Sequence, residues 1–214
     1  MQRFIRLLLD LLLLLLMPVV VCVMLTGLRN HEWLGALLGA GMVLHLILNR
    51  RWFRHPIGGK ISVARLLAVA VNFLLLGDIL TLIVTGLFIS RFLFAWTGLP
   101  SLHLFGASAI HFCAGYWALL LVGLHLGQHT PVIFGMLRVR KWPKSLRFGL
   151  RLLFLAIAAY GIYFFVNEGV SDFLVPEESF IITDTPPALY LAGLASLLTT
   201  AALVGFHLNK AATR

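Results

Sequence analysis

The chain has 214 residues, of which 60% are hydrophobic and only 12% charged, with a formal net charge of +9. A mean hydropathy of +0.97 implies more apolar surface than a soluble domain of this size can bury, so lipid is the expected solvent and a separate soluble domain is excluded. In a soluble protein such a charge would suggest nucleic acid; here the placement of the charges explains it, and no nucleic-acid partner is expected.

Six apolar segments follow in chain order, at about 7–27, 31–49, 66–90, 104–127, 148–166 and 188–208, each long enough to span as a helix. The fold expected is an all-α membrane protein of six transmembrane helices. Arg3 and Arg6 precede the first segment. A basic start before a leucine run also fits a signal peptide, but the run is long for one and no A-x-A-like site follows it. Asp10 is placed near the end of that span, where water is close. Cys22 and Cys113 fall in two different spans and read as small buried apolar residues rather than a disulfide.

The second segment contains HEWLGALLGAGMVLH, with His31 and His45 fourteen residues apart. A helix turns about 100° per residue, so both rings share one face to within about 40°. A rise of about 1.5 Å per residue separates them by about 21 Å along the axis, towards opposite sides of the membrane. Arg50, Arg51, Arg54, Lys60 and Arg65 follow in a loop that also holds His55 and Pro56-Ile57-Gly58-Gly59. The third segment carries Asp78 near its middle, with Asn72, Thr81 and Thr85 nearby. A carboxyl at that depth is expected to be protonated or hydrogen-bonded, either to carry a proton or to bond a neighbouring helix.

The fourth segment reads HFCAGYWALLLVGLH, and His111 and His125 repeat the fourteen-residue interval. One span lies between the second and fourth, so the two run parallel. His31 then pairs in depth with His111, and His45 with His125. Two imidazoles at each of two heights suit a haem iron with two axial histidines. Zinc would instead gather four ligands at one height. Gly35, Gly41 and Gly115 each lie one turn from one of these histidines. A missing side chain there leaves room for a porphyrin face, although glycine also serves close helix packing in membranes. His129, one turn beyond His125, is an alternative ligand; His125 is preferred because its depth matches His45. Otherwise His129 is read as a hydrogen-bond donor to a propionate or quinone. Haem propionates are anionic and seek arginine. Arg50, Arg51 and Arg54 are placed for the inner haem, and Arg29 and Arg91 for the outer one. His103 and His207 read as surface or interface residues.

The rest of the chain settles the expected orientation. Arg138, Arg140, Lys141, Lys144, Arg147 and Arg151 lie between the fourth and fifth segments, and Lys210 and Arg214 follow the sixth. With six spans, fifteen of the seventeen Lys and Arg residues fall on one side, leaving only Arg29 and Arg91 on the other. The positive-inside rule therefore places both termini in the cytoplasm. The loop 167–187, with Glu168, Asp172, Glu177, Glu178 and Asp184 and no base, faces out. Pro186-Pro187 marks its end.

The paired histidines resemble the dihaem helices of the cytochrome b family. HEWLGALLGAGMVLHLILNRRWF (31–53), LLLGDILTLIVTGLFIS (74–90) and LHLGQH (124–129) are similar to the flavinylation-associated cytochrome family, over roughly residues 5–130. The resemblance implies a haem-bearing four-helix bundle at 1–130, followed by a basic cytoplasmic loop and two further helices at 131–214. It implies a b-type cytochrome in a bacterial inner membrane, holding two non-covalent haems b. Such a subunit would move electrons between a membrane quinone and an extracytoplasmic flavin- or haem-carrying redox protein. No C-x-x-C-H occurs, so covalent haem is not expected. Competing expectations are a transporter or channel using the histidines, which would need broken repeat helices, and a haem-free membrane anchor.

Overall fold

The computed structural model describes residues 2–54, 62–177 and 183–213. His55, Pro56-Ile57-Gly58-Gly59, Lys60, Glu178, Arg214 and the side chain of Arg3 lie outside the described residues. Six α-helices follow one another: α1 (Gln2–Val21), α2 (Val23–Leu48), α3 (Val63–Ile89), α4 (Ala107–Met136), α5 (Lys144–Asn167) and α6 (Pro187–Ala212), with no strand among the described residues. Five of them, α2 to α6, are long and apolar enough to cross a membrane. The chain is an all-α membrane protein with several apolar helices, as its hydropathy demands: in lipid, only helices satisfy every backbone group within the segment.

The first hairpin turns earlier than the hydropathy suggests. The first apolar run continues to residue 27, but α1 stops at Val21. Cys22 leaves the helical region (φ −80, ψ 68), and Gly27 adopts φ 70, ψ 157. Residues with a side chain avoid that second conformation, so a glycine sits where the chain must re-aim. Apolar composition runs straight through this turn, which is why hydropathy does not mark it.

Helix pairs can be read from their contacts. α1 and α2 are antiparallel, with Val20 beside His31 and Asp10 beside His45. α2 meets α3 antiparallel, Glu32 against Ser90–Leu93 and Gly39 near Ile83. α3 and α4 are antiparallel, with Thr85 beside His111 and Asn72 beside His125. It follows that α2 and α4 run parallel. α2 rests mainly on α1 and is not closely packed on α4.

α6 packs on α4 and α5 where small residues remove the side-chain barrier. A Cβ on Gly123 would lie 2.6 Å from the Leu198 carbonyl, and one on Gly127 would overlap the Ala202 carbonyl. A Cβ on Gly161 would lie 2.6 Å from the Ser196 carbonyl. These approaches are backbone to backbone, so no rotamer change relieves an added methyl. Tyr116 and Tyr190 join α4 to α6 through a 2.6 Å hydroxyl pair, both fully buried. The main core combines Leu13, Met17 and Val20 of α1 with Leu119, Phe164 and Leu194. It is therefore continuous across the expected parts 1–130 and 131–214. Cys22 and Cys113 are both buried free thiols.

Candidate functional site

Two histidine layers stand at opposite ends of the α1–α4 group. In the first, His31 of α2 and His111 of α4 have ring centres 6.1 Å apart, with planes at 80°. His31 Nδ1 donates to the Val20 carbonyl at 2.9 Å. That carbonyl lies in the last turn of α1, where the helix leaves its carbonyls without intrahelical partners. The break at Cys22 thus supplies the acceptor that orients His31. His111 Nδ1 lies 3.0 Å from Thr85 Oγ1. The Thr85 hydroxyl already donates to the Thr81 carbonyl at 2.6 Å, so its oxygen accepts from His111. Gly86 lies close by: a Cβ there would be 3.2 Å from His111 Cε1.

The second layer gathers His45, His125 and His129. His45 Nδ1 donates to Asp10 Oδ1 at 2.7 Å. His125 Nδ1 donates to Asn72 Oδ1 at 2.8 Å. The His129 ring centre is 4.6 Å from that of His125, and His45 and Asp10 lie near enough to act on His125 electrostatically. Asn49 Nδ2 lies 3.5 Å from His45 Nε2, at the limit of a hydrogen bond, and donates more closely to the His45 carbonyl at 2.9 Å.

One pattern unites the four histidines that the fourteen-residue spacing singles out. Each commits Nδ1–H to an oxygen acceptor: a carbonyl, a hydroxyl, a carboxylate and an amide oxygen. A neutral imidazole donating from Nδ1 carries its lone pair on Nε2. Such an outer partner fixes tautomer and ring orientation and leaves Nε2 as a ligand or acceptor. Among the described residues, no three or more His, Cys, Asp and Glu side chains converge as a protein-only metal centre would need. His31 and His111 in the first layer, and His45 with His125 or His129 in the second, are the available donor set.

The glycines divide. A Cβ on Gly35 or Gly115 would meet nothing within 4 Å, so both border open space. Gly41 is different: its Cβ would lie 2.7 Å from Leu13 Cδ2, so it serves the α1–α2 contact rather than an open face. Spacing alone could not separate these roles, because α1 folds back on the same α2 face that carries His45. Arg50, Arg51 and Arg54 follow α2 and are exposed, as are Arg29 and Arg91 at the other end. His103 Nδ1 donates to the Ser101 carbonyl of its own loop at 2.6 Å, and the His207 ring meets Phe206 edge-on.

Four supporting residues escaped sequence reasoning in these roles. Asp10, Asn72 and Thr85 are noticeable as polar residues in apolar helices, but their histidine partners lie 35, 53 and 26 residues away. Glu32 is the fourth. Its carboxylate accepts from Ser90 Oγ at 2.7 Å and from the backbone N–H groups of Arg91, Phe92 and Leu93 at 2.7, 3.0 and 2.8 Å. It clamps the end of α3 beside His31. Asp78 points a buried Oδ2 at no hydrogen-bond partner among the described residues.

No protein-family model, curated protein or solved structure matches this chain. What the fold and site define is a class: a multi-pass helical membrane protein with two histidine layers, one near each end of a helix group.

Proposed function

We propose that this chain is a b-type dihaem membrane cytochrome, carrying electrons across a bacterial inner membrane between quinone and an extracytoplasmic redox partner. The observation that carries the reading is the His31–His111 pair. Two imidazoles that would hold one metal between them through Nε2, at about 2 Å each, would have ring centres about 6 Å apart. The separation here is 6.1 Å, and both rings turn Nδ1 to an oxygen, which leaves Nε2 for such a bond. The open faces at Gly35 and Gly115, and the loose approach of α2 to α4, fit a flat macrocycle between them. His45 and His125 carry the same Nδ1 engagement and are assigned to the second haem.

Haem b, when bound, supplies a one-electron iron couple. The chain's own residues do the rest. Val20, Thr85, Asp10 and Asn72 hold the four rings in place, and apolar helices exclude water. Arg50, Arg51 and Arg54 on the cytoplasmic side, with Arg29 and Arg91 outside, are assigned to the propionates. His129 is assigned to a propionate or quinone at the cytoplasmic layer. The positive-inside count supports a cytoplasmic side for both termini. The partner is a flavin- or haem-carrying protein, on the strength of the sequence resemblance alone.

A reduced-minus-oxidised visible spectrum with a pyridine haemochrome assay tests the proposal. Two haems per chain are expected, with low-spin b-type bands. Fewer than one haem per chain in a fully loaded preparation would exclude it, leaving the histidines to a transport or anchoring role.

A further inference from the structure

We propose that Asp10, acting through His45, holds the His45/His125 layer at a lower reduction potential than the His31/His111 layer. The inference rests on the reading of both layers as bis-histidine haem sites, and deepens it by ranking them.

The two layers differ in what receives their Nδ1 protons. In the His31/His111 layer both acceptors are neutral, the Val20 carbonyl and the Thr85 hydroxyl oxygen. In the other layer one acceptor is the neutral Asn72 amide and the other is the Asp10 carboxylate, at 2.7 Å from His45 Nδ1. A carboxylate drawing on Nδ1–H raises negative charge at Nε2 and makes the imidazole a stronger donor. A stronger donor stabilises the oxidised, more positive iron and lowers the potential. The fixed negative charge acts in the same direction through space.

Arginine does not rank the layers: Arg50, Arg51 and Arg54 are assigned to the propionates at this end and Arg29 and Arg91 to those at the other, and all five are exposed. Asp10 is half-exposed at 47%, yet among the described charged side chains it alone contacts a ligand imidazole directly. The His31/His111 layer has Glu32 nearby, but that carboxylate spends its lone pairs on Ser90 and three backbone N–H groups, and no hydrogen bond joins it to a histidine among the described residues. An electron shared between the layers therefore resides preferentially at His31/His111, and the slope across the membrane runs from the His45 end to the His31 end.

Equilibrium redox titration of the haem-loaded protein, followed in the visible spectrum, tests this. Wild type should show two components, the lower one absent from His45→Ala and the upper one absent from His31→Ala. Asp10→Asn keeps an oxygen acceptor but removes the charge. It should lower the oxidised-to-reduced ratio of the lower component at a fixed ambient potential by about tenfold or more, a rise of about 59 mV in its potential for one electron, with the upper component unmoved. Both haems retained with neither potential moved would overturn the proposal, as would a lower component that belongs to His31. If Asp10→Asn loses a haem, Asn72→Asp decides. It places a carboxylate on the opposite ligand, and the lower component should fall by a similar factor; an unchanged value overturns the proposal. A wild-type preparation without haem would instead defeat the parent reading, an outcome read from haem content before any potential is measured.

Discussion

His31 and His111 each tie Nδ1 to the protein, so single alanine substitutions make a matched test. His31→Ala and His111→Ala should each remove the same low-spin component from the spectrum and spare the other. His45→Ala and His125→Ala should remove the complementary one. Loss from His129→Ala with full retention in His125→Ala would keep the two layers and move one ligand by a turn. Gly35 and Gly115 supply a second residue-level test. Nothing lies within 4 Å of an added Cβ at either, so alanine should leave the unloaded fold as stable as before or slightly more so. In the loaded protein Gly35→Ala and Gly115→Ala should weaken haem retention, read as haem per chain after dilution. Equal retention would mean the open faces are lipid-facing only. The histidine pairs were visible in the sequence because fourteen residues is a whole number of turns to within about 40°. Their acceptors were not, since a hydrogen bond between helices has no sequence period.

Among the elements, α6 gained a role that its composition had not indicated. It lies along α4, and Gly123, Gly127 and Gly205 bring the two backbones together on the α4 face away from His125's partner Asn72. A methyl on Gly127 would collide with main-chain atoms of Ala202, Gly205 and Phe206, none of which can swing aside. Gly127→Ala should therefore cost about 1–3 kcal/mol, as overpacking does, seen as a lower thermal midpoint in detergent, whereas Gly135→Ala, with nothing within 4 Å, should not. The connection from α5 to α6 carries its own electrostatic anchor. Burial pushes the Glu168 carboxyl up, but hydrogen bonds from Thr185, Thr183 and Asn167 outweigh it and hold the group below its ordinary value of 4.5. With the folded form the stronger acid, its stabilising contribution is complete above that ordinary value and is lost as pH falls through the lower folded one. Glu168→Gln should thus lower the thermal midpoint at pH 7 and flatten its decline between about pH 5 and 3; an unchanged acid limb would show that the anchor carries no weight.

For the whole molecule, the proposed orientation rests on the charge count. With the 167–187 loop outside, a cysteine replacing Ser171 should be labelled by a membrane-impermeant reagent in intact cells, and one replacing Ser145 should not. The reverse pattern would invert both histidine layers and the slope proposed between them. Composition by itself determined that this chain is helical and lipid-solvated, because a backbone in hydrocarbon has few other ways to satisfy its polar groups. The repeated His interval likewise determined that two spans each present imidazoles at two depths. Parallel α2 and α4 followed from counting the span between them. Only the tertiary structure decided what each histidine touches. It ended α1 at Val21, freeing a carbonyl for His31. It set Asp10 against His45 and turned Gly41 towards Leu13 rather than towards open space. Hydropathy reports only transfer into lipid, which is nearly equal for every apolar face. Which face meets which helix depends on close packing of small residues and on a few polar contacts, and those exist only once the helices are assembled.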